Sequence, residues 1–196
     1  MVKKYDKPII KERLFDLKDI METKVILIVG ASGVGKDTLI KEAKKELKKK
    51  FNFIRRYITR KPDKSEKNFF LEDSAFEILK ENDFFISCWD AHNNLYGISK
   101  DSIKNKTNII SISRSKISDF EKNFDKVYVI NITLNDTELK RRLIKRGREN
   151  IKEIEKRLER KYDKIEARNL IVFQNDKSFD DSVKAFIDTL KEIDAI

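Results

Sequence analysis

Three glycines and a lysine are packed into one short stretch of this chain. Five consecutive apolar residues, Val25 to Val29, run into Gly30, Ala31, Ser32, Gly33, Val34 and Gly35, and then Lys36, Asp37 and Thr38 open a Lys/Glu/Leu-rich helical pattern. The spacing spells G-x-x-x-x-G-K between a strand and a helix, a phosphate-binding P-loop. Glycines let the backbone approach phosphate oxygens with its N–H groups turned inward. The helix start aims the positive end of its dipole at the same phosphates, and Lys36 adds a full charge. Residues Gly30 to Thr38 are therefore the candidate nucleotide cradle. Ser or Thr usually follows the lysine and binds Mg²⁺. Here Asp37 follows, then Thr38, and a carboxylate serves a hard cation directly or through water. Asp37 and Thr38 are thus the candidate Mg²⁺ ligands. The whole chain has five glycines, where average usage would give about fourteen. Three are in this loop, so glycine is kept where the backbone needs it.

Two arginine groups accompany the loop. The first is Arg55, Arg56 and Arg60 in R-R-Y-I-T-R. It reads as a clamp on a substrate phosphate, which the planar guanidinium suits, or as a solvated strand end. The second is Arg142, Arg146 and Arg148 around Gly147, with Arg157 and Arg160 further on. It reads as a lid, about 142–160, that closes cations over a transferring phosphoryl group. The alternative is a basic helix with pairs such as Glu153–Arg157.

The chain around these groups has 196 residues, enough for one domain with small inserted lobes. Charged residues make up 40%, and 44 Lys+Arg against 34 Asp+Glu leave a net charge of +10. A basic balance permits nucleic-acid contact, but no recognition-helix, zinc or aromatic-platform motif is present. It equally suits phosphate-rich substrates. Cys88 is the sole cysteine, which excludes an intramolecular disulfide and points to a reducing compartment. No apolar run approaches the ~20 residues that span a bilayer, and the N-terminus lacks a signal-peptide core. A soluble, cytoplasmic protein is expected.

Residues 1–23 read as an appendage, with a short amphipathic helix over Lys11 to Ile20. The P-loop strand and helix (Lys36 to Lys50) follow, and Phe51 to Thr59 reads as one strand. Residues 60–100 form a substrate lobe: a loop, a short strand Phe69 to Leu71, and a helix opened by a Ser74/Glu77 capping box. Strand Phe84 to Ala91 then turns at Asn93-Asn94 into Leu95 to Ile98. The core (24–59 and 101–196) resumes with strands at Asn108 to Ser113, Lys126 to Ile132 and Leu170 to Phe173. These alternate with helices at Lys116 to Asn123, Asn135 to Arg146, Ile151 to Arg168 and Ser178 to Ile193. The fold class is α/β, with a mostly parallel sheet covered on both faces. Nucleotide is expected at the carboxyl ends of its strands.

The order of motifs resembles the guanylate-kinase-like P-loop kinases, and within them the ribose 1,5-bisphosphate phosphokinases of phosphonate catabolism. The stretches that carry the likeness are GASGVGKDTL, RRYITRKP with SEKN, SCWDAHNNLYGIS, SISRSKI, RLIKRGREN with EIEKRL, and FQND, across about residues 25–185. The resemblance implies ATP and Mg²⁺ as cofactors. It places Tyr57, Arg60, Tyr96 and Arg114 near a sugar bisphosphate, and gives Lys36, Arg142, Arg146 and Arg157 the catalytic roles. It also marks departures from guanylate kinases. Ser87 stands at their guanine-reading Glu, Ile98 at their guanine-binding Ser/Thr, Ser111 and Ser113 at two Asp positions, and Asp63 at a second Arg. Arg60 keeps their phosphate-binding Arg. A site that loses its base-reading groups loses affinity for a base.

The implied reaction is ATP-dependent phosphorylation of ribose 1,5-bisphosphate to 5-phosphoribosyl 1-diphosphate. A phosphate acceptor is already ionised, so no general base is required. His92, Cys88 and Trp89 read as structural. The competing expectations are a nucleoside monophosphate kinase of altered base choice and a non-catalytic guanylate-kinase-like binding module.

Overall fold

The computed structural model describes residues 23–61, 68–91, 93–146 and 164–196. Its core is a five-stranded parallel sheet of β1 (Lys24–Val29), β2 (Asn52–Phe53), β7 (Asn108–Ser111), β8 (Lys126–Thr133) and β9 (Leu170–Gln174). The strand order is β2-β7-β1-β8-β9. β1 is central and paired on both sides, and all six of its residues are buried. That explains its unbroken apolar run, because both faces of such a sheet are covered.

Ile26, Ile28, Ile130 and Ile132 face one side. They pack against Leu39, Ala43 and Leu47 of α1 (Lys36–Leu47) and Phe186, Leu190 and Ile193 of α5 (Phe179–Ala195). Val25, Leu27, Val29, Ile110, Val127 and Val129 face the other, against Ile117 and Phe120 of α3 (Ile117–Glu121) and Ile98 of the lobe. Each fully buried side chain of this kind stabilises the fold by roughly 1.5–3 kcal/mol. No helix among the described residues is long and apolar enough to cross a membrane.

The inserted lobe is a second sheet of order β4-β3-β6-β5, formed by β3 (Tyr57–Ile58), β4 (Phe69–Phe70), β5 (Phe85–Ala91) and β6 (Asn94–Ser99). β5 and β6 make the expected hairpin, with Asn93 in the left-handed region at φ 56°. α2 (Asp73–Glu81) lays Phe76 on Phe85, ring centroids 4.6 Å apart. Gly97 lies beneath that ring, where a Cβ would come within 2.6 Å of Phe85.

Four local expectations are corrected. Phe51 to Thr59 is two strands in two sheets. Asn52 and Ile54 donate their N–H groups to Thr107 and Ile109 along β7, and the chain then crosses to pair Tyr57 with Gly97 and Phe69. The Ser74/Glu77 capping box does not form: the helix starts at Asp73 with Glu72 as N-cap, and Glu77 pairs with Lys80 at 2.9 Å. The helix expected from Lys116 is a 3₁₀ turn, Arg114–Lys116, leading into the short α3. Residues 164–168 are not helical, and Arg168 N–H donates to the Glu121 carboxylate at 2.7 Å. The N-terminal helix, residues 151–163 and His92 lie outside the described residues.

Candidate functional site

The candidate site is built at the carboxyl end of β1. Past Val29 the chain turns through Gly30, Gly33 and Gly35 at φ 143°, 92° and 100°, a region that L side chains rarely adopt. Neighbours also forbid side chains there. A Cβ on Gly30 would strike the Ile132 carbonyl, and one on Gly35 would lie 2.7 Å from Asn175 Nδ2. Gly35 is the left-handed N-cap of α1, and Lys36 is its first helical residue. Lys36 Nζ donates to the Gly30 and Ala31 carbonyls at 2.7 and 2.9 Å. Backbone, helix start and ammonium thus converge on one concave loop, which fits a polyphosphate.

Asn175, just past β9, clamps the loop from outside. Its Nδ2 donates to the Val34 carbonyl at 2.7 Å in a buried contact. Sequence reasoning did not single it out, although FQND was among the resembling stretches.

α4 (Asp136–Arg146) starts as expected at Asn135, whose Oδ1 accepts the Glu138 N–H at 2.9 Å. Leu139 and Leu143 pack beneath Gly33, and Arg142 Nη1 would lie 3.5 Å from a Cβ on Gly35. Arg142 is therefore brought to the loop. Its Nε donates to Glu138 Oε1 at 2.8 Å, and Arg141 donates to both Glu138 oxygens at 2.6 and 2.8 Å. These bonds, from Arg141 and then Arg142, pull the Glu138 carboxyl down to about 2. Arg146 closes the helix. Arg148 and Arg157 lie outside the described residues, as does most of the stretch expected to form a lid.

Asp37 and Thr38 are exposed on the first turn of α1. Among the described residues no three His, Cys, Asp or Glu gather into a metal site. One carboxylate and one hydroxyl beside a phosphate cradle fit Mg²⁺, which is usually held by few protein ligands together with phosphates and water.

Lobe and core meet around one arginine. Arg56, on the crossing from β2 to β3, reaches Asp37 Oδ1 at 3.3 Å and Ser111 Oγ at 3.5 Å, with its guanidinium 5.8 Å from the Tyr96 ring. Tyr96 stacks on Trp89 at 5.4 Å. Ser87 Oγ donates to Asp119 Oδ2 of α3 at 2.8 Å. Arg114 begins the 3₁₀ turn that follows Ser113, and Arg60 follows Thr59 at the end of β3. Tyr96 joins Arg56 at the junction of lobe and core. Tyr57 packs among the rings of the lobe, 4.9 Å from Phe69 and 5.7 Å from Phe85. Ile98 is fully buried in the core.

A guanylate kinase family model matches residues 22–193. A ribose 1,5-bisphosphate phosphokinase of Ruegeria sp. is 35% identical over 69% of this chain and 74% of its own length. One from Brucella melitensis is 32% identical over 86% of this chain and 92% of its own. A guanylate kinase of Campylobacter jejuni is 33% identical over 74% of this chain and 76% of its own. Among solved structures, guanylate kinase from Anaplasma phagocytophilum superposes with a TM-score of 0.58 at 17% identity, over 91% of this chain and 90% of that one.

Proposed function

We propose a reaction for this chain from one premise: it belongs to the guanylate kinase family. The chain is a phosphotransferase, and its homologues are named for two different acceptors. The reaction we infer moves the γ-phosphoryl of ATP onto the 1-phosphate of ribose 1,5-bisphosphate. An acceptor phosphate oxygen bonds to the γ-phosphorus, the bond to the β-phosphate oxygen breaks, and ADP leaves. The product is 5-phosphoribosyl 1-diphosphate.

The observation that supports this reading is the chemistry at the two positions where the resemblance places a base reader. Ile98 offers a ligand no polar group and is wholly buried, while Ser87 spends its hydroxyl proton on Asp119. A base stripped of its partners binds poorly, because its own polar groups are then left unpaired. Arg60 remains as a phosphate grip, with Tyr57, Tyr96 and Arg114 near the sugar bisphosphate. In this reading residues 30–38 hold ATP. Lys36 exchanges its two loop carbonyls for phosphate oxygens. Arg142, with Arg146 and Arg157 from the lid, neutralises the transferring group. Asp37 and Thr38 would hold Mg²⁺, which when bound supplies charge neutralisation between the phosphates. A cytoplasmic place in phosphonate catabolism belongs to the same reading.

A second reading, nucleoside monophosphate phosphorylation, is favoured by Asp119. Its carboxylate, next to Ser87, is an acceptor for amino and imino donors of a base.

The test is an acceptor panel with Mg·ATP, following ADP release and product identity for ribose 1,5-bisphosphate, ribose 5-phosphate, GMP and AMP. Turnover confined to the bisphosphate, with the diphosphate sugar formed, is expected. Turnover of GMP in its place selects the second reading. ATP bound with no turnover of any acceptor would point to a binding module.

A further inference from the structure

The turn that follows β9 braces the nucleotide loop from behind. Asn175 extends the pairing of β9 with β8, its N–H donating to the Thr133 carbonyl at 2.9 Å. The next residue, Asp176, accepts the Asn135 N–H at 3.0 Å, and Asn135 in turn caps α4 by accepting the Glu138 N–H. The turn is thus fixed both to the sheet and to the head of α4, the helix whose Leu139 and Leu143 lie under Gly33. From this base the Asn175 side chain, only 7% exposed, reaches the loop, and its Nδ2 donates to the Val34 carbonyl at 2.7 Å. The amide must present its NH₂ end there, since a carbonyl takes only donors.

That bond decides where the next N–H points. The Val34–Gly35 peptide is trans and planar, so its C=O and N–H lie on opposite edges. With the carbonyl held by Asn175, the Gly35 N–H is directed away from Asn175. Glycine itself does not enforce this direction. A peptide plane followed by glycine is not blocked from turning over, because glycine takes φ of either sign, and Gly35 stands at φ 100°. The missing side chain also admits the clamp, since a Cβ on Gly35 would lie 2.7 Å from Nδ2. A glycine loop takes phosphate through successive N–H groups that point one way. If those groups are free to turn, the ligand must order them when it arrives, and affinity is lost.

We propose that Asn175 is a positioning residue for the phosphate site. It locks the Val34–Gly35 peptide with the carbonyl turned to β9, so that the Gly35 N–H is set to donate to a phosphate oxygen of the nucleotide. Asn175 touches no phosphate and acts through Gly35. The inference rests on the proposed function only in that residues 30–38 take the nucleotide phosphates, and the identity of the acceptor does not enter.

The experiment titrates the full chain calorimetrically with Mg·ADP and with inorganic tripolyphosphate, for wild type, Asn175→Ala and Asn175→Asp. Beside it, the Gly35 amide is followed by NMR after selective ¹⁵N-glycine labelling, which gives five signals in a chain of five glycines. In wild type, tripolyphosphate is expected to move the Gly35 signal. Asn175→Ala frees the peptide and should weaken both ligands about tenfold, the scale of one hydrogen bond to a charged group. Asn175→Asp keeps the shape but can only accept, so it draws the Gly35 N–H toward itself and should weaken both about a hundredfold. Its Gly35 signal should no longer answer either ligand. A purely structural Asn175 would lower the urea midpoint of both variants and leave the affinities of the folded protein unchanged, which overturns the inference. So does a loss for ADP that tripolyphosphate does not share, because Asn175 would then sense the nucleoside. A wild-type Gly35 signal that tripolyphosphate leaves in place overturns it as well. Should Asn175→Ala fail to fold by circular dichroism, Asn175→Asp decides, and if neither folds the wild-type signal decides. A wild type that binds neither ligand would sink the reading of residues 30–38 and this inference with it. A wild type that binds both, with variants that bind equally well, would sink the inference and leave that reading standing.

Discussion

Lys24 and Lys36 flank the same strand and loop, and each ammonium holds two backbone carbonyls. Lys24 starts β1 at the amino ends of the strands and donates to Ile193 and Asp194 at 2.9 and 2.8 Å. Lys36 starts α1 at the carboxyl ends and donates to Gly30 and Ala31 at 2.7 and 2.9 Å. The bonds are alike, but the carbonyls are not. Those held by Lys24 belong to the last turn of α5, where helix carbonyls have no partner of their own. A polar network closes around them. Asp194 accepts from Thr107 and pairs with Lys50, while Asn108 donates to the carbonyls of Lys24, Lys104 and Lys106. The carbonyls held by Lys36 lie five and six residues back, in a loop of left-handed glycines. One lysine completes a helix, and the other holds the loop that we propose takes the nucleotide phosphates. Stability and function are told apart by what each partner would do without the lysine.

The sharpest way to break this comparison is Lys36→Ala. Turnover should fall about a thousandfold, as when a preorganised charge is removed from a developing phosphoryl transition state. The urea midpoint should stay at the wild-type value. Near-normal kcat would show that the loop is not the site. Lys24→Met should give the opposite pattern. It strands the carbonyls of α5 and costs about 2–3 kcal/mol, the scale of lost bonds to a charged group, with kcat per folded molecule unchanged. Burial already pushes the Lys24 ammonium below its ordinary pKa, so an apolar replacement relieves part of the cost of keeping a charge there. Equilibrium urea unfolding checks it, and a loss confined to activity would collapse the distinction.

Much of the working end was legible because it is local. Strand, glycines, lysine and helix are consecutive, so Val25 to Leu47 could be read from spacing alone. The cap at Asn135, the hairpin at Asn93-Asn94 and the cap at Ser178 follow the same rule, since each is a contact of neighbours. What escaped is made across the chain. Asn175 reaches Val34 only because β9 and β1 both flank β8, a fact of strand order. Arg56 was named with the arginine clamp, but its inward turn was hidden because residues 51–59 alternate like one strand, and alternation does not record where a chain leaves one sheet for another. Lys24 looked like a boundary residue, since the helix end it completes lies at the far end of the sequence. The Ser74/Glu77 box was present in letters and lost to a helix whose N-cap is two residues earlier, at Glu72.

The smallest effect concerns how Arg142 is held over the open loop. Glu138 takes two bonds from Arg141 and one from Arg142, and these depress its carboxyl from an ordinary 4.5 to about 2. A group whose folded pKa is depressed favours the folded state above its unfolded pKa, and the contribution is lost as pH falls through the folded value. The Glu138 contribution is therefore whole at pH 7 and at pH 5, and drains away between about 4.5 and 2. Glu138→Gln removes it at every pH. Thermal melts of wild type and variant should differ by a small, constant gap from pH 7 to 5, and the gap should close below that. At pH 7 the variant should also lose about threefold in kcat, the scale of an exposed charge pair, with KM for ATP little changed. A gap that widens on acidification would mean Glu138 is protonated in the folded protein at neutral pH. Arg142 would then reach the loop without it, and the open end of the sheet would be held by packing of Leu139 and Leu143 alone.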